Sequence, residues 1–462
     1  MAPLFTSDEI YTATGARPVH HAVGSVNSIS IDSRELGPEA LFVAIKGDRF
    51  DGHDFVATAL ENGAVAAMVS EGRAFRDRCI VVPDALAGLR DLARLARERC
   101  NGCIVGVTGS VGKTTTKEAI RIVFEAAGAT HASIKSFNNH WGVPLMLARM
   151  PAATEFGVFE LGMSAAGEIE PLSRLVRPNI ALVTTIAPAH LEAFDGIEGI
   201  AAAKAEIFKG LEPDGTALLN ADHDQIGLLV DAAHAAGVRN IVRYGFAAAS
   251  DWHIESCVAE GNRSRASVRH GNDRFELVIN APGRHMVANG VAALAVASLA
   301  GIDPELAIAA LARFGAPTGR GQQLLLGDPG KPLLLIDESY NANTASMTAA
   351  LDVLAQTAAP GGRKVAILGD MLELGPNSAV LHAGLKNAVL ASGAERIYLV
   401  GDEMGALADA LGADRVQMHV RTTAELVDVI VDELAHGDAV MVKGSNGVRL
   451  AGIVDAIRAR FQ

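Results

Sequence analysis

The chain is short of cysteine, of long apolar runs and of positive charge, and each shortage narrows what it can do. Four cysteines in 462 residues (Cys79, Cys100, Cys103 and Cys257) are too few to staple a protein of this size, which excludes a disulfide scaffold. Cys100 and Cys103 form a C-x-x-C, but no second C-x-x-C or H-x-x-x-H accompanies it, so ordinary thiols are the expectation. No run approaches the roughly 18 apolar residues of a membrane span. The longest candidate, Gly290 to Gly301, is Ala-rich and predicts a packed helix. The opening MAPLFTSDEI lacks the basic-then-apolar order of a secretory signal, which points to the cytoplasm. Lys and Arg number 40 against 53 Asp and Glu, a net charge of −13. That balance argues against nucleic acid as a partner and leaves room for a local basic patch around a phosphorylated small molecule.

What is present is a globular composition, 49% hydrophobic and 20% charged, without low-complexity tracts or an internal repeat. The length exceeds what one hydrophobic core supports and suits three domains. Short β-rich runs (Ile29–Ile31, Leu41–Ile45, Ala66–Val69, Ile80–Val82) alternate with helical stretches, ending in Asp84–Arg99. Further strands are expected at Ile104–Thr108, Phe156–Leu161, Ile180–Ile186 and Thr216–Leu219. A β-rich stretch (Trp252–Ile254, Ala266–Arg269, Phe275–Ile279) and helices from Met286 and Pro304 follow. The cluster Gly315-Ala-Pro-Thr-Gly-Arg-Gly321 reads as a hinge. Beyond it, Gln323–Leu326 and Leu333–Ile336 read as a hairpin, and βα alternation resumes at Val365–Leu368, Ile397–Val400 and Val440–Val442. The expected fold class is α/β in three domains: 1–98, a central P-loop domain at 99–316, and 317–462.

The strongest local signal is Gly106-Val-Thr-Gly-Ser-Val-Gly-Lys-Thr-Thr115, placed between a strand and the helix Lys113–Ala127. Thr108, Gly109, Ser110, Val111 and Gly112 would curl so that backbone N–H groups point at phosphate oxygens, aided by the positive helix end. Lys113 would reach the β- and γ-phosphates and the Thr114 hydroxyl a Mg²⁺ ion. The strict P-loop spacing wants glycine where Val107 stands; T-G-x-x-G-K-T-T is a narrower variant. Glu160 ends a strand beside this loop, where a magnesium ligand is needed. His190 and Lys204 say little singly, because a lone histidine is usually structural and a helix lysine usually points to water.

In order, these pieces resemble the Mur ligases along nearly the whole chain. They are T-G-x-x-G-K-T-T, Asn138-Asn-His-Trp-Gly-Val-Pro144, Glu160-Leu-Gly, Ala189-His-Leu-Glu192, Lys204-Ala-Glu-Ile207, Pro282-Gly-Arg-His285, Asn289 and Asp337. Three further stretches resemble the branch of that family that adds D-alanyl-D-alanine. These are Ile31-Asp-Ser-Arg34 with Leu41–His53, Asp337-Glu-Ser-Tyr-Asn-Ala-Asn343 with Ser346-Met347, and Leu368-Gly-Asp-Met-Leu-Glu-Leu-Gly375. The resemblance departs at Thr185, Met286 and Asn446, where many members have Asn, Asn and Arg.

The resemblance implies an N-terminal α/β domain for a UDP-linked substrate, a central parallel-sheet ATPase domain and a C-terminal Rossmann-like domain. It implies ATP and two Mg²⁺ ions as cofactors, with Lys113, Thr114 and Glu160 at the first metal. His190 and a carbamate on Lys204 would serve the second, with Lys113, His190 and Lys204 as the catalytic set. Asn289 would contact adenine, Asp337 the ribose and Arg320 the ATP from the third domain. Ser33, Arg34, Lys46 and Asn139 would serve the UDP substrate. The implied reaction joins D-alanyl-D-alanine to UDP-N-acetylmuramoyl-tripeptide through an acyl phosphate, in a monomeric enzyme of peptidoglycan synthesis. A sister ligase adding the third amino acid is the alternative, although its D-N-P-R is absent. A folate polyglutamylating ligase would share the P-loop but lack such an N-terminal domain. A P-loop switch would leave three compact domains without a role.

Overall fold

Aliphatic runs buried on both faces demand parallel strands covered by helices, and the chain supplies them in three groups. The computed structural model describes residues 3–18, 24–47, 49–72, 77–188 and 191–462, and among these it forms three sheets. In spatial order the first runs Arg17–Pro18, Cys79–Val82, Ala66–Ser70, Ala40–Val43 and Ser28–Ser30, parallel except at the Arg17–Pro18 edge. The helix Ala85–Glu98 leaves it, capped by Asp84, whose carboxylate accepts from Ala87 N at 2.7 Å. Its Leu89 and Leu92 belong to one continuous core with Val143 and Leu147 of the next group. Arg97, 6% exposed, pins the same junction by donating to the carbonyls of Val176 (2.8 Å), Arg177 (2.8 Å) and Cys100 (3.0 Å).

The central sheet has Cys103–Thr108 between Phe156–Glu160 and Ile180–Val183, all parallel. Thr130–Ala132 lies outside Phe156–Glu160, and Thr216–Asn220 and Asn240–Gly245 continue the other side in parallel. An antiparallel meander, Trp252–Glu260, Arg263–His270 and Asp273–Ile279, closes that edge. The third sheet runs Gln322–Leu326, Leu333–Glu338, Ala439–Lys443, Lys364–Gly369, Arg396–Val400 and Met418–Val420. Its first pair is the expected hairpin and the rest is parallel.

Three details differ from the sequence reading. The strand expected to reach Ile186 stops at Val183, because the Thr184 hydroxyl turns to the carbonyls of Val111 (2.6 Å) and Thr108 (3.2 Å). The helix bearing Lys204, expected at Ile200–Gly210, is Ile197–Ala205, tightening into a 3₁₀ turn at Glu206–Gly210. There the Glu206 carboxylate accepts from the N–H groups of Gly167, Ile169 and Glu170 and so caps the helix Ile169–Val176. The strands Thr130–Ala132, Asn240–Gly245 and Met418–Val420 carry no period-2 signal: the first and last have three residues each, and in the second the apolar Ile241 and Val242 are adjacent and do not alternate.

Candidate active site

Parallel packing puts the carboxyl ends of three central strands at one edge, and the candidate site begins there. Val107 pairs with Glu160 and Thr108 with Val183, so the phosphate loop emerges flanked by Glu160 and Thr184. Gly109 (φ +146°) could not bear a side chain, since a Cβ would come within 1.9 Å of the Thr184 Oγ1. Gly112 (φ +87°) starts the helix Lys113–Ala127, whose buried Ala119, Ile120, Val123 and Phe124 share a core with the helix Arg284–Leu299. That packing brings Asn289 over the loop, where its Oδ1 accepts from the Thr116 hydroxyl at 3.1 Å. The Ser110 hydroxyl is buried without a partner.

Lys113 Nζ donates to the carbonyl of Gly109 at 2.7 Å. Burial lowers its pKa, opposed by the Glu160 carboxylate and reinforced by Arg320. Glu160, 2% exposed, accepts from the Thr114 hydroxyl at 2.7 Å and from Asn138 Nδ2 at 2.8 Å. Lys204 is 2% exposed and does not line the cleft. Burial drives its pKa well below the usual lysine value, and the Lys113 charge pushes the same way.

The third domain forms the opposite wall of a cleft of about 830 Å³. Arg320 lies 4.0 Å over the Tyr340 ring, and the Tyr340 hydroxyl donates to that of Ser136 in the central domain. Behind them Lys443, 1% exposed, donates to the Asn341 carbonyl at 3.0 Å and stands 3.4 Å from Glu338. The loop at 370–375 reaches the central domain as well, with Glu192 N donating to the Glu373 carbonyl at 3.4 Å.

Of the residues singled out from sequence, the cleft gathers Ser110 to Thr114, Asn139, Glu160, Asn289 and Arg320. Thr108 and Gly109 lie beneath it. Asp337 does not line it: its carboxylate accepts from Gly319 N (3.0 Å), Ser339 N (3.1 Å) and the Ser339 hydroxyl (2.6 Å), holding the linker. His190 falls outside the described residues. Ser33, Arg34 and Lys46 also stand apart from the cleft. They follow the parallel neighbours Ser28–Ser30 and Ala40–Val43 and so leave the same sheet edge. Arg34 pairs there with Asp32 at 2.7 Å, and its hydrogen bonds hold the Asp32 pKa down to about 2. Glu35 bridges from this edge to Lys135 at 3.1 Å, beside the Ser136–Asn139 part of the cleft. Sequence reasoning named no role for Thr184, Asn138, Ser136 or Tyr340. Asn138 and Tyr340 stand inside quoted motifs, whereas Ser136 and Thr184 carry no sequence signal.

Comparison with known proteins agrees with this geometry. Models of the Mur ligase family, catalytic domain, of the Mur ligase middle domain and of the Mur ligase glutamate ligase domain match residues 25–96, 107–297 and 320–446. The chain belongs to the Mur ligase family. A UDP-N-acetylmuramoyl-tripeptide--D-alanyl-D-alanine ligase from Rickettsia prowazekii is 33% identical over 93% of this chain and 94% of its own. The structure of MurF from Acinetobacter baumannii aligns over 98% of this chain and 99% of its own, with a TM-score of 0.86 and 27% identity. That of a MurF ligase from Thermotoga maritima in complex with ADP aligns over 94% and 97%, with a TM-score of 0.79 and 26% identity.

The donor set beside the phosphate loop fits Mg²⁺. Thr114 and Glu160 are hard oxygen donors in contact, and among the described residues no group of three or more His, Cys, Asp or Glu is placed to hold a metal ion. Magnesium is commonly held by one or two carboxylates with substrate phosphates and water, and needs no all-protein cage. No helix among the described residues is long and apolar enough to cross a membrane.

Proposed function

We propose that this chain is an ATP-dependent, ADP-forming ligase that joins D-alanyl-D-alanine to UDP-N-acetylmuramoyl-tripeptide in peptidoglycan synthesis. The observation that carries this reading is one cleft walled by a phosphate loop on one domain and by Arg320, Glu338 and Lys443 on another. Such a cleft suits a reaction whose activated intermediate must be kept from water. The named relatives support D-alanyl-D-alanine over the third amino acid as the added group.

Forming an amide from a carboxylate and an amine in water is uphill, so the carboxylate is first phosphorylated. Lys113 exchanges its bond to Gly109 for the transferring phosphoryl oxygens and neutralises their charge. Thr114 and Glu160 would hold the first Mg²⁺, with Asn138 fixing the carboxylate. Bound Mg²⁺ supplies charge neutralisation on the nucleotide phosphates. The neutral amine that burial favours at Lys204 can take up CO₂, and the resulting carbamate would offer oxygen donors, beside the imidazole nitrogen of His190, to a second Mg²⁺. Asn289 faces the adenine, Arg320 the phosphates, and Asp337 reaches the ribose once the linker it holds rearranges. Ser33, Arg34 and Lys46 receive the UDP end, and Asn139 lines the path from it.

The domains divide near residues 98 and 316, and the enzyme works as a monomer in the cytoplasm, where ATP and nucleotide-linked precursors are available. The test is ADP release with UDP-muramoyl-tripeptides carrying diaminopimelate or lysine, with and without D-alanyl-D-alanine. Release that requires both substrates supports the ligase. Constitutive release would support a switch, and efficient replacement of the dipeptide by a free amino acid would support the sister ligase.

A further inference from the structure

Inside the cleft, away from the phosphate loop, three ionisable side chains stand together with no part in the chemistry described so far. Glu338 ends the strand Leu333–Glu338 and its side chain is 13% exposed. Lys443 ends the neighbouring strand Ala439–Lys443, and the two are register partners. His285 faces both from the central domain, and all three line the cleft.

A purely structural ion pair would not be built this way. Removing two charges from water costs several kcal/mol per ion unless the geometry is excellent. Here Nζ stands 3.4 Å from Glu338 Oε2, while its shorter bond, 3.0 Å, goes to the Asn341 carbonyl. Lys443 is thus held by the backbone, and Glu338 keeps acceptor capacity aimed at the cleft. Its other oxygen lies beside Gly321, where an added Cβ would come within 3.1 Å of Oε1, so the interdomain linker backs it. The cations around it are Lys443 and, near Lys443, Arg320; burial lowers the pKa of His285 below the usual histidine value.

We propose that Glu338 is the receptor and proton acceptor for the ammonium group of the incoming peptide, with Lys443 beside it on the neighbouring strand. This deepens the ligase reading and rests on it. A primary ammonium satisfies the open face of the carboxylate but cannot attack a carbonyl while protonated. Glu338 takes one proton and leaves a neutral amine. The nitrogen lone pair then bonds to the acyl phosphate carbon, and the carbon–oxygen bond to phosphate breaks with its electron pair on phosphate. The second nitrogen proton leaves with that phosphate as HPO₄²⁻. Glu338 is therefore a catalytic residue of the second half-reaction only.

The experiment compares Glu338→Gln with the unaltered enzyme using two nucleophiles, D-alanyl-D-alanine and hydroxylamine. Hydroxylamine is already neutral at pH 7 and traps the acyl phosphate as a hydroxamate without a base. The proposal expects Glu338→Gln to form dipeptide product about a hundredfold more slowly, the usual scale of a lost general base. Hydroxamate formation and the KM values for ATP and UDP-tripeptide should be unchanged. Dipeptide turnover by the variant should climb as pH approaches the α-amino pKa of about 8, where solvent supplies neutral amine. Equal loss with both nucleophiles would overturn the proposal in favour of a structural role, and unchanged dipeptide turnover would overturn it as well. Absence of hydroxamate even with unaltered enzyme would overturn the ligase reading beneath it.

Discussion

The hydroxyl of Tyr340 in the third domain donates to the hydroxyl of Ser136 in the central domain, and the Tyr340 ring carries the Arg320 guanidinium 4.0 Å from its centre. A single side chain thus ties closure of the cleft to the placement of the cation that faces Lys113. Tyr340→Phe keeps the ring under Arg320 and removes only the tie. Its expected effect is a severalfold lower kcat with KM for ATP changed less, and a stability loss of about 1 kcal/mol, the scale of one hydrogen bond. Tyr340→Ala removes both supports and should raise KM for ATP too. Steady-state kinetics on the two variants checks the ordering.

Gly109→Ala puts a methyl group into the Thr184 hydroxyl in a backbone conformation that L residues avoid. The expected outcome is loss of measurable ADP binding by calorimetry, because the strand end and the loop cannot both keep their places. Gly227→Ala, where nothing lies within 4 Å of the added carbon, should bind ADP as the unaltered protein does.

Lys204→Ala should lose most activity and regain part of it with added short-chain carboxylates, which can occupy the vacated anion site. The pH dependence has a fixed sign. A depressed pKa leaves the amine neutral at a pH where a free lysine is still charged, and only the neutral amine takes up CO₂. Activity should therefore fall as pH drops through the Lys204 pKa, and should fall in CO₂-depleted buffer. Unchanged turnover in Lys204→Ala would reduce this residue to a packed helix lysine.

Arg97→Met removes a guanidinium that three carbonyls on both sides of the first domain junction share. Leaving those carbonyls unpaired should cost about 2–4 kcal/mol, read as a lower urea midpoint. The phosphate loop lies elsewhere, so ADP affinity of the folded variant should not change.

The phosphate loop was legible because its chemistry is local: glycine at positive φ, then a helix start, then Lys and Thr at fixed offsets. Glu160 was legible for a similar reason, since a strand of known direction delivers its last residue to a known edge. The hairpin before Leu333 announced itself through Gly327-Asp-Pro-Gly330. Tyr340 and Ser136 are 204 residues apart, and nothing in either segment encodes their meeting. Asp337 shows the opposite case. The motif around it is plain in the sequence, yet its carboxylate accepts from Gly319 N of the linker and from the N–H and hydroxyl of Ser339, partners that only the folded backbone brings to it. Thr130–Ala132 and Met418–Val420 are strands by virtue of their neighbours, since three residues carry no periodicity of their own.

The account's central claim is that a carboxylate of the nucleotide-linked peptide is phosphorylated in this cleft and then taken by the dipeptide amine. The most direct measurement uses UDP-N-acetylmuramoyl-tripeptide with ¹⁸O in its reacting carboxylate, ATP, Mg²⁺ and D-alanyl-D-alanine, followed by mass spectrometry of the phosphate and the peptide. The account predicts one ¹⁸O in each phosphate released and a UDP-linked pentapeptide formed in equal amount. Phosphate released without ¹⁸O, or with no pentapeptide beside it, would contradict the account.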